Sequence, residues 1–263
     1  MPLDLSAWTL LLSAAFAAGV LNAIAGGGSF LTFPALVYTG VPPIEANASS
    51  AVAVSPGYLG STLGFRAELA TLPRATLWRE GLVCAMGGVL GALLLLWTPA
   101  QVFSALVPWL LLFATAVFAA GPWLLARLRA RRGDHGEAQG GDPASTAAPR
   151  LLGLAAVAVY GGYFNGGLGI LLMALYALVG ESQLNRANAL KNLNSLLLSL
   201  LSVVAFAWAG AVQWPQALGM AVAATLGGFA GAHVARRLPA PVLRAVVITT
   251  GLVMAVLFFA RGR

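Results

Sequence analysis

Two glycine-rich clusters hold backbone groups that could bind an anion. The first, Gly26-Gly27-Gly28-Ser29, interrupts an apolar segment that runs from Trp8 to Tyr38. Glycine weakens a helix and lets a ligand approach the backbone closely. A helix that breaks here and restarts would expose N–H groups at the positive end of its second half, which favours anions. Tight helix packing is the alternative role for these glycines.

The second cluster lies in the second half of the chain and resembles the first. Gly166, Gly167 and Gly169 follow Asn165, as the first cluster follows Asn22. The side chain of Asn22 could add an amide donor to the first break. Because the break recurs, a binding site is favoured over packing alone.

The helix expected after the second break begins with a polar face. Asn188, Lys191, Asn192 and Ser195 fall at positions i, i+3, i+4 and i+7, so they share one side of a helix. That side should turn inward, because amide and ammonium groups are costly in lipid. Lys191 is the only lysine and a candidate partner for an anion. In the alternative, it snorkels to the surface near Arg186.

The corresponding helix of the first half also begins with polar residues, in the stretch Glu45-Ala46-Asn47-Ala48-Ser49-Ser50. Each break therefore has a polar neighbour with which it could form a site. The candidate substrate-binding residues are Asn22, Gly26, Gly27, Gly28, Ser29, Asn47, Ser49, Ser50, Asn165, Gly166, Gly167, Gly169, Asn188, Lys191, Asn192 and Ser195.

The remaining polar residues suggest no catalytic or metal site. Cys84 is the only cysteine, which excludes an internal disulfide and a paired-thiol redox mechanism. The two histidines lack companions that would make a metal site or a nucleophile–base pair. Neither a cofactor nor a metal is therefore predicted. Glu45, Glu80 and Glu181 lie near expected helix ends and are predicted to be interfacial.

The composition indicates a polytopic, all-α membrane protein. Of 263 residues, 59% are apolar and only 9% are charged, and the mean hydropathy is +0.85. A soluble domain has about 25% charged residues. The apolar segments are long, continuous and rich in Leu and Ala, which argues against a β-barrel. The net charge of +7 comes from arginines that cluster at the ends of the apolar segments. This placement indicates an orientation in the membrane rather than nucleic-acid binding.

About eight hydrophobic segments are expected, in two groups. Residues 1–126 form the predicted first membrane repeat, 127–150 a cytoplasmic linker and 151–263 the second repeat. The N-terminus lacks the basic region of a cleaved signal peptide, so the first segment is expected to remain in the mature protein. The segments are about Trp8–Ala25 with Ser29–Tyr38, Ala46–Phe65, Thr76–Trp97, Gln101–Ala126, Leu151–Val179, Ala187–Trp208, Gln216–Val234 and Pro241–Phe259.

The two groups of segments share an internal repeat. Four landmarks recur in the same order, 140 to 143 positions further on. Such repeats are typical of secondary transporters, whose site lies between the halves. The matching pairs are Gly19-Val20-Leu21-Asn22 with Gly162-Tyr163-Phe164-Asn165, Ala46-Asn47-Ala48 with Ala187-Asn188-Ala189, Gly87–Ala92 with Gly227–Ala232, and Pro99–Val102 with Pro239–Val242.

The distribution of basic residues favours inverted repeats. If each glycine-broken segment is re-entrant and three full crossings follow it, thirteen of the fifteen basic residues lie in the cytoplasm and only Arg261 and Arg263 lie outside. If each broken segment instead crosses fully, the split is ten to five. The expected fold is therefore two inverted repeats, each a re-entrant helix pair plus three transmembrane helices.

These motifs resemble a known family of membrane permeases, the TauE/SafE sulfite exporters. The resemblance rests on Gly19-x-x-Asn22 through Gly26-Gly27-Gly28-Ser29-Phe30-Leu31-Thr32-Phe33-Pro34-Ala35-Leu36, on Ala46-x-Ala48-Ser49-Ser50, and on Gly210-Ala211-Val212-Gln213-Trp214 leading into Gly227-Gly228-x-x-Gly231-Ala232. It covers nearly the whole chain outside Arg127–Pro149. The chain departs from the family pattern at Gly169-Ile170-Leu171-Leu172, where another glycine-rich run and a proline are usual. The resemblance implies transport of small sulfur-containing anions, such as sulfite or organosulfonates, in either direction.

The sequence therefore predicts a secondary transporter that works by alternating access around a site between the repeats, in the inner cell membrane. No phosphate-binding loop for ATP is present. A passive anion channel built from the same half-helices is the alternative, and an intramembrane enzyme is less favoured. The expected partners are the anion and the lipid bilayer. A homo-oligomer is left open, and no nucleic acid is expected.

Overall fold

The protein is all-helical in the computed structural model, which describes residues 4–24, 27–133, 143–179, 181, 183–234 and 240–261. Four of the described helices contain a span long and apolar enough to cross a bilayer, in α1, α5, α6 and α9. The helices are α1 Leu5–Ile24, α2 Ser29–Tyr38, α3 Pro43–Gly64, α4 Arg66–Ala70, α5 Arg74–Trp97, α6 Ala100–Gly133, α7 Pro143–Tyr163, α8 Leu168–Leu178, α9 Leu184–Trp208, α10 Trp214–Val234 and α11 Ala240–Arg261.

The first helix has a side-chain cap. Asp4 precedes α1, and its Oδ1 accepts hydrogen bonds from the Ala7 N–H at 2.8 Å and the Ser6 hydroxyl at 2.9 Å. These bonds, that of the Ala7 backbone above all, lower the pKa of the Asp4 carboxyl. The cap satisfies one of the free N–H groups at the helix start.

The helices form two bundles that each take one member from the other half of the sequence. The first bundle consists of α1, α2, α3 and α10, and the second of α7, α8, α9 and α5. The contacts correspond: α1 packs on α10 as α7 packs on α5, and α3 packs on α10 as α9 packs on α5. Outside the bundles, α6 pairs with α11 and contacts α8, while α11 contacts α2.

Glycines bring each exchanged helix, α10 or α5, to backbone distance from its partner. A Cβ on Gly19 of α1 would overlap the Ala224 carbonyl of α10. In the second bundle, a Cβ on Gly91 of α5 would overlap the Val159 carbonyl of α7. Only glycine allows so close an approach at either crossing.

The same contacts give the relative directions of the helices. Trp8 lies near Gly219 and Phe16 near Gly227, so α1 runs parallel to α10. In the second bundle, Gly87 contacts Ala158 and Gly91 contacts Gly162, so α5 runs parallel to α7.

The direction of α9 follows in the same way. Gly81 lies near Leu197, and Gly88 accepts a hydrogen bond from Ser202, so α9 also runs parallel to α5. We call the side where α3 ends and α5, α7 and α9 begin the linker face. The distal face is the opposite side, where α5 and α9 end and α6 and α10 begin.

The helices extend into the stretch predicted as a linker. Helix α6 continues to Gly133 and α7 begins at Pro143, so only 134–142 lie outside the described residues. The stretch Ala126–Arg132 consists of Ala, Leu and Arg, which are good helix formers. Loss of apolar character marks the end of a membrane span, and a helix can continue beyond that point.

Candidate functional site

The first glycine cluster breaks the helix as predicted. Gly27 has φ +130°, which L side chains rarely adopt, and its N–H donates to Asn22 Oδ1 at 3.3 Å. The chain turns back against α1, since a Cβ on Gly28 would lie 2.8 Å from the Ala18 carbonyl oxygen. Helix α2 then starts at Ser29. Gly26, also predicted for the site, lies outside the described residues.

The second cluster makes an equivalent break. Gly167 is left-handed, with φ +76°, and its carbonyl accepts the N–H groups of the first turn of α8. The Tyr160 hydroxyl donates to the Gly166 carbonyl at 2.7 Å. The N–H groups of Gly166 and Gly167 have no hydrogen-bond partner among the described residues. Gly169 lies in the first turn of α8, where it adds no side chain.

The two breaks meet at Asn165. The Ser29 hydroxyl donates to the Asn165 carbonyl at 3.2 Å, and the Tyr58 hydroxyl of α3 donates to Asn165 Oδ1 at 3.4 Å. Beside them, the rings of Phe33 and Phe164 pack edge to face with centroids 5.6 Å apart. The starts of α2 and α8 therefore lie next to each other in the interior.

The polar residues of α3 contact both breaks. Asn47 Nδ2 donates to the Tyr163 carbonyl at the end of α7, over 3.2 Å. Ser50 hydrogen-bonds Thr32 of α2 at 2.6 Å. The structure therefore brings the α3 face, the first break and the second break together. Ser49 also contributes a link, because its hydroxyl accepts the Gln213 N–H at 2.9 Å.

The polar face of α9 lies in the second bundle and makes fewer hydrogen bonds. Asn188 Nδ2 donates to the Leu184 carbonyl of its own helix at 3.1 Å. Asn192 is buried, and Ser195 is fully buried with no hydrogen-bond partner for its hydroxyl among the described residues. Lys191 is partly buried and likewise has no ion-pair or hydrogen-bond partner in the described part of the chain.

The α9 face approaches the breaks through the crossing of α3 and α9. The hydroxyls of Ser55 and Ser199 hydrogen-bond at 2.8 Å, and Leu196 packs with Val54 and Tyr58. No hydrogen bond among the described residues joins any of the four predicted α9 residues to a break. This crossing was not predicted from the sequence, although Ser199 lies one turn beyond Ser195 on the same polar stripe.

A buried carboxylate cluster lies apart from the breaks, around Glu80. That residue, predicted to be interfacial, is 1% exposed and is enclosed by the helices of the second bundle. Its Oε1 forms an ion pair with Arg150, whose Nη2 lies 2.6 Å away. Its Oε2 accepts hydrogen bonds from the Tyr176 hydroxyl at 2.8 Å and from Asn194 Nδ2 at 2.9 Å. The cluster joins α5, α7, α8 and α9, that is, the whole second bundle.

The comparison with known proteins identifies the family. The model of the sulfite exporter TauE/SafE family matches residues 11–258. The chain belongs to the TauE/SafE family. The matched range of the TauE/SafE model includes both breaks and both polar faces.

Curated relatives of this TauE/SafE member are similar along most of their length. A protein of Sinorhizobium sp. is 27% identical over 94% of this chain and 90% of its own. One of Haemophilus influenzae is 27% identical over 97% and 95%, and one of Escherichia coli is 26% identical over 92% and 85%. All three are described as probable membrane transporter proteins. No solved structure gives a significant match.

Proposed function

We propose that the protein is a secondary transporter of a small sulfur-containing anion, such as sulfite or an organosulfonate. The observation that carries the proposal is the meeting of the two half-helix starts at Ser29 and Asn165. The positive ends of α2 and α8 and the free N–H groups of Gly166 and Gly167 favour a bound anion there. The family description supports sulfite as a substrate, and the names of the relatives support membrane transport.

Lys191 supplies the positive charge in this proposal. It is the only lysine, and no carboxylate among the described residues neutralises it. It lies on α9, the helix that crosses α3 at the Ser55–Ser199 hydrogen bond. The buried, unpaired hydroxyl of Ser195 lies one turn further in and offers the next donor.

The two repeats are inverted in the proposed topology. Helix α1 is parallel to α10, which follows α9 through a short turn and so runs opposite to it. Because α9 and α7 are both parallel to α5, α1 and α7 run in opposite directions. Alternating access around the central site then follows from the repeat.

The direction of each broken pair supports a re-entrant hairpin. Helices α7 and α9 are parallel, so α8 must return the chain to the face from which α7 started. With the linker face in the cytoplasm, most of the basic residues lie there, as the positive-inside rule requires. The proposed location is the inner cell membrane.

An enzyme and a channel are the rival functions. No group of three or more His, Cys, Asp or Glu side chains that could hold a metal occurs among the described residues. The family description favours transport over catalysis. A channel would use the same half-helix starts, so only kinetics separate it from a carrier. A carrier shows counterflow of labelled anion in proteoliposomes, whereas a channel does not.

The test of the proposal is transport of sulfite, sulfoacetate and taurine by purified protein in proteoliposomes. Gly27→Leu should abolish transport, because leucine at φ +130° is strained and its Cβ would press on Phe118 at the first break. Gly210→Leu is the matched control: Gly210 also has positive φ, +69°, but a Cβ there meets no atom within 4 Å. Equal transport by both variants, or none by the native protein, would reject the site or the substrate class.

A further inference from the structure

Two equivalent asparagines make different hydrogen bonds in this structure. Asn47 and Asn188 are each the fifth residue of their helix, and they occupy matching places in the sequence repeat. Asn47 reaches across to the second bundle and donates to the Tyr163 carbonyl. Asn188 makes no such contact and donates to Leu184 in its own helix.

The repeat identifies the acceptor that Asn188 lacks. Tyr163 corresponds to Val20, because Gly162-Tyr163 aligns with Gly19-Val20. The packing supports this alignment: Gly19 lies against Gly228, as Gly162 lies against Gly88. The symmetric counterpart of the Asn47–Tyr163 bond is therefore a bond from Asn188 Nδ2 to the Val20 carbonyl.

The two bonds lie on opposite faces of the molecule. Asn47 is near the start of α3, at the distal face, where the Tyr163 hydroxyl also bonds Thr98 at 3.3 Å. From Ala46 to Val54, every residue of α3 is buried, so the helices packed around the distal half of α3 leave no opening there. Asn188 is near the start of α9, at the linker face, and it is only partly buried.

The bundles can rock about the point where α3 crosses α9. The Ser55–Ser199 hydrogen bond lies at this crossing, between the two asparagine positions. The Glu80 cluster ties together the four helices of the second bundle, so that bundle can move as a unit. Rotation that opens the distal face would bring the linker-face ends of the bundles together.

We propose that Asn47 and Asn188 are reciprocal gate residues. In the state seen here, the Asn47–Tyr163 bond closes the distal face. In the alternate state that bond breaks, and Asn188 donates instead to the Val20 carbonyl and closes the linker face. The inference rests on the proposed transport function, and it names the hydrogen bonds that exchange during alternating access.

Disulfide cross-linking in the full-length protein tests the exchange. In a Cys84→Ala background, Val20→Cys with Asn188→Cys should cross-link, because the two positions meet in the alternate state. Thr9→Cys with Asn188→Cys is the control pair, since Thr9 lies about 16 Å from Val20 along α1. Adding Asn47→Ala should raise the cross-linking rate of the first pair several-fold by releasing the distal gate.

Three results of the cross-linking experiment would contradict the proposed gate. The first pair could react no faster than the control pair, Asn47→Ala could leave its rate unchanged, or oxidation of the pair could leave the transport of that variant unaltered. If Asn47→Ala does not fold, the comparison of the two pairs alone decides. Cross-linking of the first pair without transport of any sulfur-containing anion would support the proposed gate and contradict the proposed substrate class. Transport without cross-linking would support the proposed function and contradict the proposed gate.

Discussion

At the scale of single residues, Glu80 shows how one carboxylate is accommodated in an apolar interior. Its carboxylate forms an ion pair with Arg150 and accepts hydrogen bonds from Tyr176 and Asn194, so its charge is both paired and hydrogen-bonded. A buried ion is tolerated only with such partners. Since Arg150 is the partly exposed member, with 21% of its side chain accessible, the cluster keeps one edge near solvent.

Glu80→Ala should destabilise the protein, because it leaves Tyr176 and Asn194 without their acceptor and Arg150 without its counter-ion. We expect a loss of about 2 kcal/mol, below the usual cost of breaking a buried pair because Arg150 is partly exposed. Glu80→Gln, which keeps an acceptor oxygen, should lose less. Thermal unfolding can be followed with a thiol-reactive dye, because the single cysteine, Cys84, is fully buried until the protein opens. Equal melting temperatures for the Ala variant and the native protein would contradict the assignment.

Lys191→Gln should weaken anion binding at least tenfold, or by about 1.4 kcal/mol, because it removes an unpaired positive charge from a partly buried site. Arg66→Ala removes an exposed charge from the same face and should change the affinity much less. The measurement is the rise in melting temperature with anion concentration. A larger loss for Arg66→Ala would point to surface attraction rather than to a site at Lys191.

At the scale of elements, glycines decide which helices can touch. Gly19→Ala should destabilise the protein by about 1–3 kcal/mol or prevent folding, because its methyl group would overlap the Ala224 carbonyl of α10. Gly60→Ala is the matched control, since a Cβ there meets no atom within 4 Å and alanine favours the helix. The yields and melting temperatures of the purified variants give the comparison. A stable Gly19→Ala protein would show that α1 does not pack on α10 in this way.

The sequence allowed prediction of the breaks but not of the helix partners. Glycine runs and polar faces are local signals, so Gly27, Gly167 and the first turns of α3 and α9 could be found from their spacing. The exchange of α5 and α10 between bundles depends on which surfaces meet, and a single sequence does not encode that directly. The Glu80 cluster was missed for the same reason: its other members lie 70 to 114 positions from Glu80.

At the scale of the whole molecule, the proposed topology puts short turns on defined sides of the membrane. With Cys84 replaced by Ala, Gln101→Cys at the distal face should react with a membrane-impermeant maleimide in intact cells. Thr71→Cys at the linker face should react only after the cells are opened. Both positions are exposed, so accessibility within the protein does not separate them. Reaction of Thr71→Cys in intact cells would place the linker face outside and reverse the assigned orientation.

The exchange of helices between bundles also has a consequence for synthesis. Helix α1 packs on α10, whose first residue is translated roughly 190 residues after α1 ends, so at about 5–20 residues per second α1 lacks this partner for about 10–40 s. Throughout that interval, the face of Gly19 is uncovered in the nascent chain. We expect the early helices to depend on lipid or on the insertion machinery for temporary cover, and a ribosome stall before α10 to leave the chain open to proteolysis.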